Sequence, residues 1–229
     1  MSLILSLETS VKVCSVAIHN QGQLIATREI HLEHSHASQL AVLMDEVIKE
    51  SGIAINQLKA IAVSSGPGSY TGLRIGTSTA KGLCYALTIP LISIGSLELL
   101  AYQMSKRNPT NAFLCPMIDA RRMEVYCQVF DASLKTVNPI EAKVIDSSSF
   151  RDVLTDKQII FFGDGSDKCK DQITDPNAKF ITGIYAAAAE MGIPVYEKFQ
   201  KQQFENLAEF EPHYLKEFLI KKPAVKQVN

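Results

Sequence analysis

Residues 64–76 read Ser64-Ser-Gly-Pro-Gly-Ser-Tyr-Thr-Gly-Leu-Arg-Ile-Gly76, and the chain continues to Leu87 as TSTAKGLCYAL. The apolar run Ile61–Ser65 predicts a strand, and the stretch from about Thr71 to Leu87 predicts a helix that Pro90 ends. A Gly-rich turn between strand and helix places free backbone N–H groups at a positive helix end, as in phosphate loops. The residues fit neither common phosphate template, because no Gly-Lys-Ser/Thr follows and Thr71 stands where GxGxxG needs its third glycine. Gly72, Gly76 and Ala80 recur every fourth residue and share a face that Leu83 and Leu87 extend. Glycine within a helix costs about 1 kcal/mol relative to alanine. The stripe is therefore expected to pack against a second helix at close range, across a subunit interface in preference to this lobe's own core. Arg74, Ser78, Lys81 and Tyr85 form the helix's narrow polar strip.

Working outward, Leu3–Leu7, Val13–Ile18 and Leu24–Ile30 read as strands, with a polar turn at Asn20–Gln23. Ser35 is placed to cap a helix carrying Leu40, Leu43, Met44, Val47 and Ile48, which Gly52 stops. Leu40, Leu43, Met44 and Val47 join Gly72, Gly76, Ala80, Leu83 and Leu87 as candidate partner-interface residues. Leu91–Ile94 is a further strand, followed by a helix from Ser96 to about Ser105. Asn108–Asn111 reads as a linker. Strands at Phe113–Ile118, Val125–Phe130 and Ile140–Val144 then restart the same βββα order. A short helix after Ser147, a strand at Ile159–Phe162 and a helical stretch at Ala186–Met191 follow. The repeat predicts an α/β fold of duplicated βββαβα lobes with the second abbreviated. The expected divisions are a first lobe over 1–107, a second over 112–210 and a C-terminal segment with a basic tail over 211–229.

The 229 residues carry a net charge of -1 and are 46% hydrophobic. A chain that binds nucleic acid alone is usually basic, so RNA is expected to be met only with help from another chain. The local exception is Lys216, Lys221, Lys222 and Lys226, read as a solvated tail. The five cysteines show no CxxC spacing, no basic leader opens the chain, and no apolar run spans a bilayer, so a reduced, cytoplasmic protein is expected. His31, His34 and His36 match no zinc spacing, and no Gly-x-Ser-x-Gly elbow is present. Glu8 and Thr9 close the first strand, where a carboxylate followed by hydroxyls can hold a metal-bound phosphate or equally serve as a turn or cap, and Asp119 closes the first strand of the second half in the corresponding place. The arginines beside Asp119 are expected to pair with it and shape a turn.

Several motifs act together: Glu8-Thr-Ser10, His34-Ser35, Ser64–Gly76, Ile118-Asp-Ala-Arg-Arg-Met-Glu-Val-Tyr126 and Pro212-His-Tyr-Leu215. On these the chain resembles the TsaB (YeaZ) family. The resemblance implies the actin/hexokinase/Hsp70-like fold. It implies a non-catalytic subunit of the complex that transfers threonylcarbamoyl to the adenosine beside the tRNA anticodon. The implied partners are a TsaD-like catalytic subunit, a TsaE-like ATPase and a second copy of the chain, with tRNA met only through the complex and no membrane involved. The metal-holding HxxxH pair of the catalytic relative does not occur in this sequence, so no metal site and no catalytic residue is expected. The resemblance further implies nucleotide contacts at the strand-end acidic turn, Glu8 and Thr9, at its second-half counterpart, Asp119, and at an adenosine-holding loop, Gly163 and Gly165. Glu8 stands where a shorter Asp is more usual in such turns, and the loop is a thin version. No cofactor is expected to be required by this chain, with ATP or ADP reserved for the interface of the complex. The alternatives are an ATP-binding kinase or ATPase of the same fold, a metallopeptidase and a stand-alone RNA-binding module.

Overall fold

All six residues of Leu3–Glu8, strand β1, are buried. A strand with no exposed face belongs in the middle of a sheet covered on both sides. β1 pairs antiparallel with β2 (Val13–Asn20) and parallel with β4 (Leu58–Gly66). β3 (Gln23–His31) lies beyond β2 and β5 (Leu91–Gly95) beyond β4, giving the order β3-β2-β1-β4-β5. The structure is a computed structural model and describes residues 1–31, 36–108 and 110–216. The cap expected at Ser35, His34, Pro109 of the linker, and Lys221, Lys222 and Lys226 lie outside the described residues.

The second sheet contains β6 (Phe113–Asp119), β7 (Glu124–Phe130), β8 (Thr136–Val144), β9 (Ile159–Phe162) and β10 (Ala178–Ile181), in the order β10-β9-β6-β7-β8. Shifting each strand number by five reproduces the first sheet, so the duplication is present. The crossovers differ. In the first lobe β3 leads to β4 through α1 (His36–Ser51), and β4 leads to β5 through α2 (Tyr70–Leu87). In the second lobe the same places hold α4 (Arg151–Leu154) and a single 3-10 turn, Asp167–Cys169.

β10 carries no sequence signal of its own. Its four residues form an edge strand too short to show a period of two. The helix expected at Ala186–Met191 is a 3-10 turn over Ala188–Met191, followed by α5 (Gly192–Gln200). Pro194 falls in the first turn of α5, where a missing N–H is tolerated.

Three apolar clusters stack the layers. α1 and α2 cover the outer face of the first sheet. α3 (Ser96–Ser105), Met191 and Val195 lie between the two sheets in a core that both lobes share, with Ile92 on one side and Phe162 on the other. A third cluster around Phe161 backs the second sheet.

The second sheet ends at Ile181, and the chain then returns to the first lobe, so the expected boundary at 210 is not where it changes sheets. Ala188 N–H donates to Ser15 Oγ at 2.9 Å, and His19 Nε2 lies 3.1 Å from Ala189 O. Residues 201–216 continue across the first lobe. Lys81 Nζ donates to the carbonyls of Ala208 and Phe210, and His213 N–H donates to Ser65 O at 2.7 Å. Lys216 finally pairs with Glu124 of the second lobe.

Candidate functional site

In the first lobe the end of β1 and the loop into α2 close on each other. Glu8 Oε1 accepts from the backbone N–H and the hydroxyl of Ser10, at 2.6 and 2.5 Å. Ser69 N–H donates to Ser10 O at 2.7 Å, and Thr9 Oγ1 donates to Gly72 O at 2.8 Å. Ser69 caps α2 by accepting from Gly72 N–H. Glu8, Thr9 and Ser10 are all fully buried. A Cβ on Gly68 would strike Ser10 O, one on Gly72 would strike Thr9 O, and one on Gly76 would strike Thr9 Oγ1. The glycines thus let α2 sit directly on the β1–β2 turn, and the chain fills its own Gly-rich loop.

That contact corrects the role expected for the small-residue stripe. Gly72, Gly76 and Ala80 face inward, and Ala80 lies in the core with Leu40, Leu43 and Val47. The close partner is the β1–β2 turn of the same lobe, not a helix of another subunit. None of these six residues is available to a partner. Met44, Leu83 and Leu87 are only half-buried at the edge of that core.

Burial pushes the Glu8 carboxyl above its ordinary range, outweighing the donors from Ser10. The Ser64 hydroxyl on the neighbouring strand end also favours the charged form, although neither it nor Glu8 Oε2 makes a hydrogen bond of ordinary geometry among the described residues.

The second lobe repeats this closure. Gly163 and Gly165 pack on the backbone of Met117–Asp119, where a Cβ at either would collide with main-chain atoms. Gly165 N–H donates to Met117 O, and Asp164 Oδ1 accepts from Asp119 N–H at 3.1 Å. Burial pushes the Asp164 carboxyl up, and Asp119 nearby adds to this. Asp119 itself is half-buried and is held by Lys168 Nζ at 2.5 Å. Its Oδ1 also accepts from Arg121 N–H at 2.9 Å. The ion pair expected between Asp119 and the adjacent arginine side chains is therefore a pair with Lys168.

The geometry brings Glu8 and Thr9 to one strand end and Asp119, Gly163 and Gly165 to the other, with all five engaged by the protein's own atoms. Among the described residues no three His, Cys, Asp or Glu side chains are placed to hold a metal ion. His31 lies apart, 3.2 Å from Glu29 Oε1. The five cysteines are free and buried, and desolvation pushes the thiols of Cys14, Cys84 and Cys169 up to about 11.

The outer surface of α1 and α2 is different. Tyr85 is 83% exposed and Val42 47% exposed, although both sit on helices whose other side is core. Thr71, Arg74, Ser78, Gly82 and Ala86 share the open side of α2. Tyr85 was legible only as part of the polar strip, and Val42 gave no signal at all, since a lone valine on an amphipathic helix does not announce its exposure. At the start of α2, Arg74 lies over the Tyr70 ring at 4.5 Å, and the Tyr70 ring packs on Tyr214 at 4.9 Å.

The family model described as "TsaD: tRNA N6-adenosine threonylcarbamoyltransferase" matches residues 29–228. The tRNA threonylcarbamoyladenosine biosynthesis protein TsaB of Haemophilus influenzae is 34% identical over 123 residues, which is 54% of this chain and 51% of the relative. The chain thus spans about half the length of that relative. TsaB of Bacillus subtilis is 29% identical over 177 residues, 75% of each chain. The solved structure of YeaZ from Pseudomonas aeruginosa superposes with a TM-score of 0.81 at 23% identity, over 94% of this chain and 100% of that one. At that identity the likeness speaks for the fold alone.

Proposed function

We propose, from the premise that the chain belongs to the tRNA N6-adenosine threonylcarbamoyltransferase family and to its TsaB/YeaZ branch, that it is the non-catalytic partner subunit in forming N6-threonylcarbamoyladenosine on tRNA. The observation that carries this reading is the open face of α1 and α2. A contiguous apolar surface beside a complete core suits a partner protein. Exposed Tyr85 of α2 and Val42 of α1, with half-buried Met44, Leu83 and Leu87 packed against that core, are the residues this reading assigns to it. Met44, Leu83 and Leu87 at its margin retain the interface role expected of them.

A TsaD-like catalytic chain is the natural occupant. Its family model matches this chain from the end of the first hairpin onward. A partner of the same fold would pair with it about a pseudo-two-fold axis. A second copy of this chain would use the same face and would compete for it. The TsaE-like ATPase, any ATP or ADP, and the tRNA then join at surfaces of the pair, in the cytoplasm.

The sealed strand end supports the non-catalytic role. An ATP-binding kinase of this fold needs an open β1–β2 turn to reach phosphates. Here Glu8, Thr9 and Ser10 are buried beneath α2.

Mixing the purified chain with the TsaD-type protein of the same cells tests the reading. The expected result is a one-to-one complex by light scattering, with threonylcarbamoyl transfer to tRNA that requires both chains. Transfer by this chain alone, or no association at micromolar concentration, would contradict it.

A further inference from the structure

The hairpin turn between β6 and β7 holds two adjacent arginines in the left-handed region, Arg121 at φ 70° and Arg122 at φ 50°. Backbone positions with positive φ favour Gly, Asn and Asp. The two-residue turn of the β2–β3 hairpin places Gln21 at φ 51° and Gly22 at φ 81°. The β6–β7 turn is longer, closed by Ala120 N–H donating to Glu124 O, and its positive-φ positions carry two long cations, for which that conformation is strained. Nothing in the core explains the choice, because both arginines are exposed.

The surroundings leave their charge unspent. The two acidic groups of the turn are already matched, Asp119 by Lys168 and Glu124 by Lys216. Lys168 Nζ also donates to Glu124 O at 2.7 Å, which fixes the base of the turn. Among the described residues neither Arg121 nor Arg122 has an ion-pair partner. Tyr126 stands beside them. Burial pushes its phenol up, while Lys216 and Arg121 pull it down. The result is a turn tip carrying two guanidinium groups, with a lysine and a tyrosine at its base.

We propose that the β6–β7 turn is a polyanion contact at which Arg121 and Arg122 grip phosphodiester oxygens of an RNA backbone. Guanidinium forks match phosphate in a bidentate manner. A protein docking site would be expected to have an apolar centre, and residues 119–124 include no exposed large apolar side chain. The chain's overall charge of -1 makes the contact local, an addition to grip supplied by a partner. The inference rests on the reading of the chain as a subunit of a tRNA-modifying complex, and it adds which residues touch the RNA.

The test is a salt titration of tRNA binding by fluorescence anisotropy. It uses the complex with the TsaD-type chain, carrying either wild type or the double variant Arg121→Gly, Arg122→Gly. Glycine accepts positive φ freely, so the variant should melt at or above the wild-type temperature. Binding should weaken about 10-fold at low salt, and the slope of log K against log salt should fall by about 1.5, as expected for two lost phosphate contacts. The Arg121→Lys, Arg122→Lys variant should recover most of the slope. Unchanged affinity and slope in a complex that binds tRNA overturn the inference and leave the proposed function intact. Weakened assembly with the TsaD-type chain at unchanged tRNA affinity also overturns it, making the turn a protein contact. A wild-type complex that binds no tRNA overturns both.

Discussion

The two strand-end turns, β1–β2 at Glu8–Lys12 and β6–β7 at Asp119–Met123, occupy the same place in duplicated lobes, each with a Gly-rich loop closed on its strand end, and differ at their tips. The first is sealed: Glu8, Thr9 and Ser10 are fully buried, and an 18-residue helix sits on them through glycines. The second is open at its tip: Arg121 and Arg122 face solvent, and only a three-residue 3-10 turn follows the Gly163–Gly165 loop. The long helix packed close on the first turn has no counterpart of its length on the second, whose crossovers are one four-residue helix and one 3-10 turn.

The largest test of that contrast is Gly76→Leu. The new side chain would run into Thr9, and the gain in helix propensity, under 1 kcal/mol, does not offset overpacking of about 3 kcal/mol. The melting temperature of the isolated chain is expected to fall by about 10 °C. A wild-type melt would break the picture of a sealed turn.

Glu8→Gln acts on the same turn without changing its volume. The folded carboxyl titrates above its unfolded value because burial disfavours the charge. Its contribution is full below the ordinary carboxylate range and is lost as pH rises through the folded pKa. The glutamine variant should therefore gain stability relative to wild type as pH is raised above about 4.5, the unfolded value. Denaturant titrations at pH 4 and pH 8 give the comparison, and a difference independent of pH would contradict a raised carboxyl at Glu8.

In the open turn, Lys168→Ala removes the partner of Asp119 and the donor to Glu124 O. Partial exposure of the pair limits the loss to about 1 kcal/mol, and it should shrink as salt is raised. A loss as large as that of Gly76→Leu would mean the second turn is sealed after all.

The smallest effect separates two kinds of glycine on one helix. Gly82 has open space where a Cβ would be. Gly82→Ala should stabilise by about 0.8 kcal/mol, with a slight rise in melting temperature. Destabilisation would mean the open face of α2 is packed in the isolated chain.

The duplication was readable because strand runs and turns recur in order in both halves. The Gly72-Gly76-Ala80 face was readable as a place of close approach, but its partner was not. Helical spacing says which residues share a face, and nothing in it points to Thr9, 63 positions earlier. The exposure of Tyr85 and Val42 depends on which sides of α1 and α2 the sheet covers, which tertiary packing decides. β10 is too short to show periodicity, and the Gly192-Ile-Pro194 start of α5 hides a helix behind two residues usually taken as breakers. The strain at Arg121 and Arg122 appears only in backbone angles, since two arginines do not signal a left-handed turn.

The proposed meeting place of this chain with a TsaD-type partner is the open face of α1 and α2. Calorimetric titration of the TsaD-type chain into Tyr85→Asp tests it most directly. An 83% exposed residue can be changed without harm to the fold, so the variant should melt as wild type does. A buried aromatic anchor in an interface is worth about 2 kcal/mol, so the Kd should rise about 30-fold. A Tyr85→Asp chain that binds the partner as tightly as wild type would contradict the account.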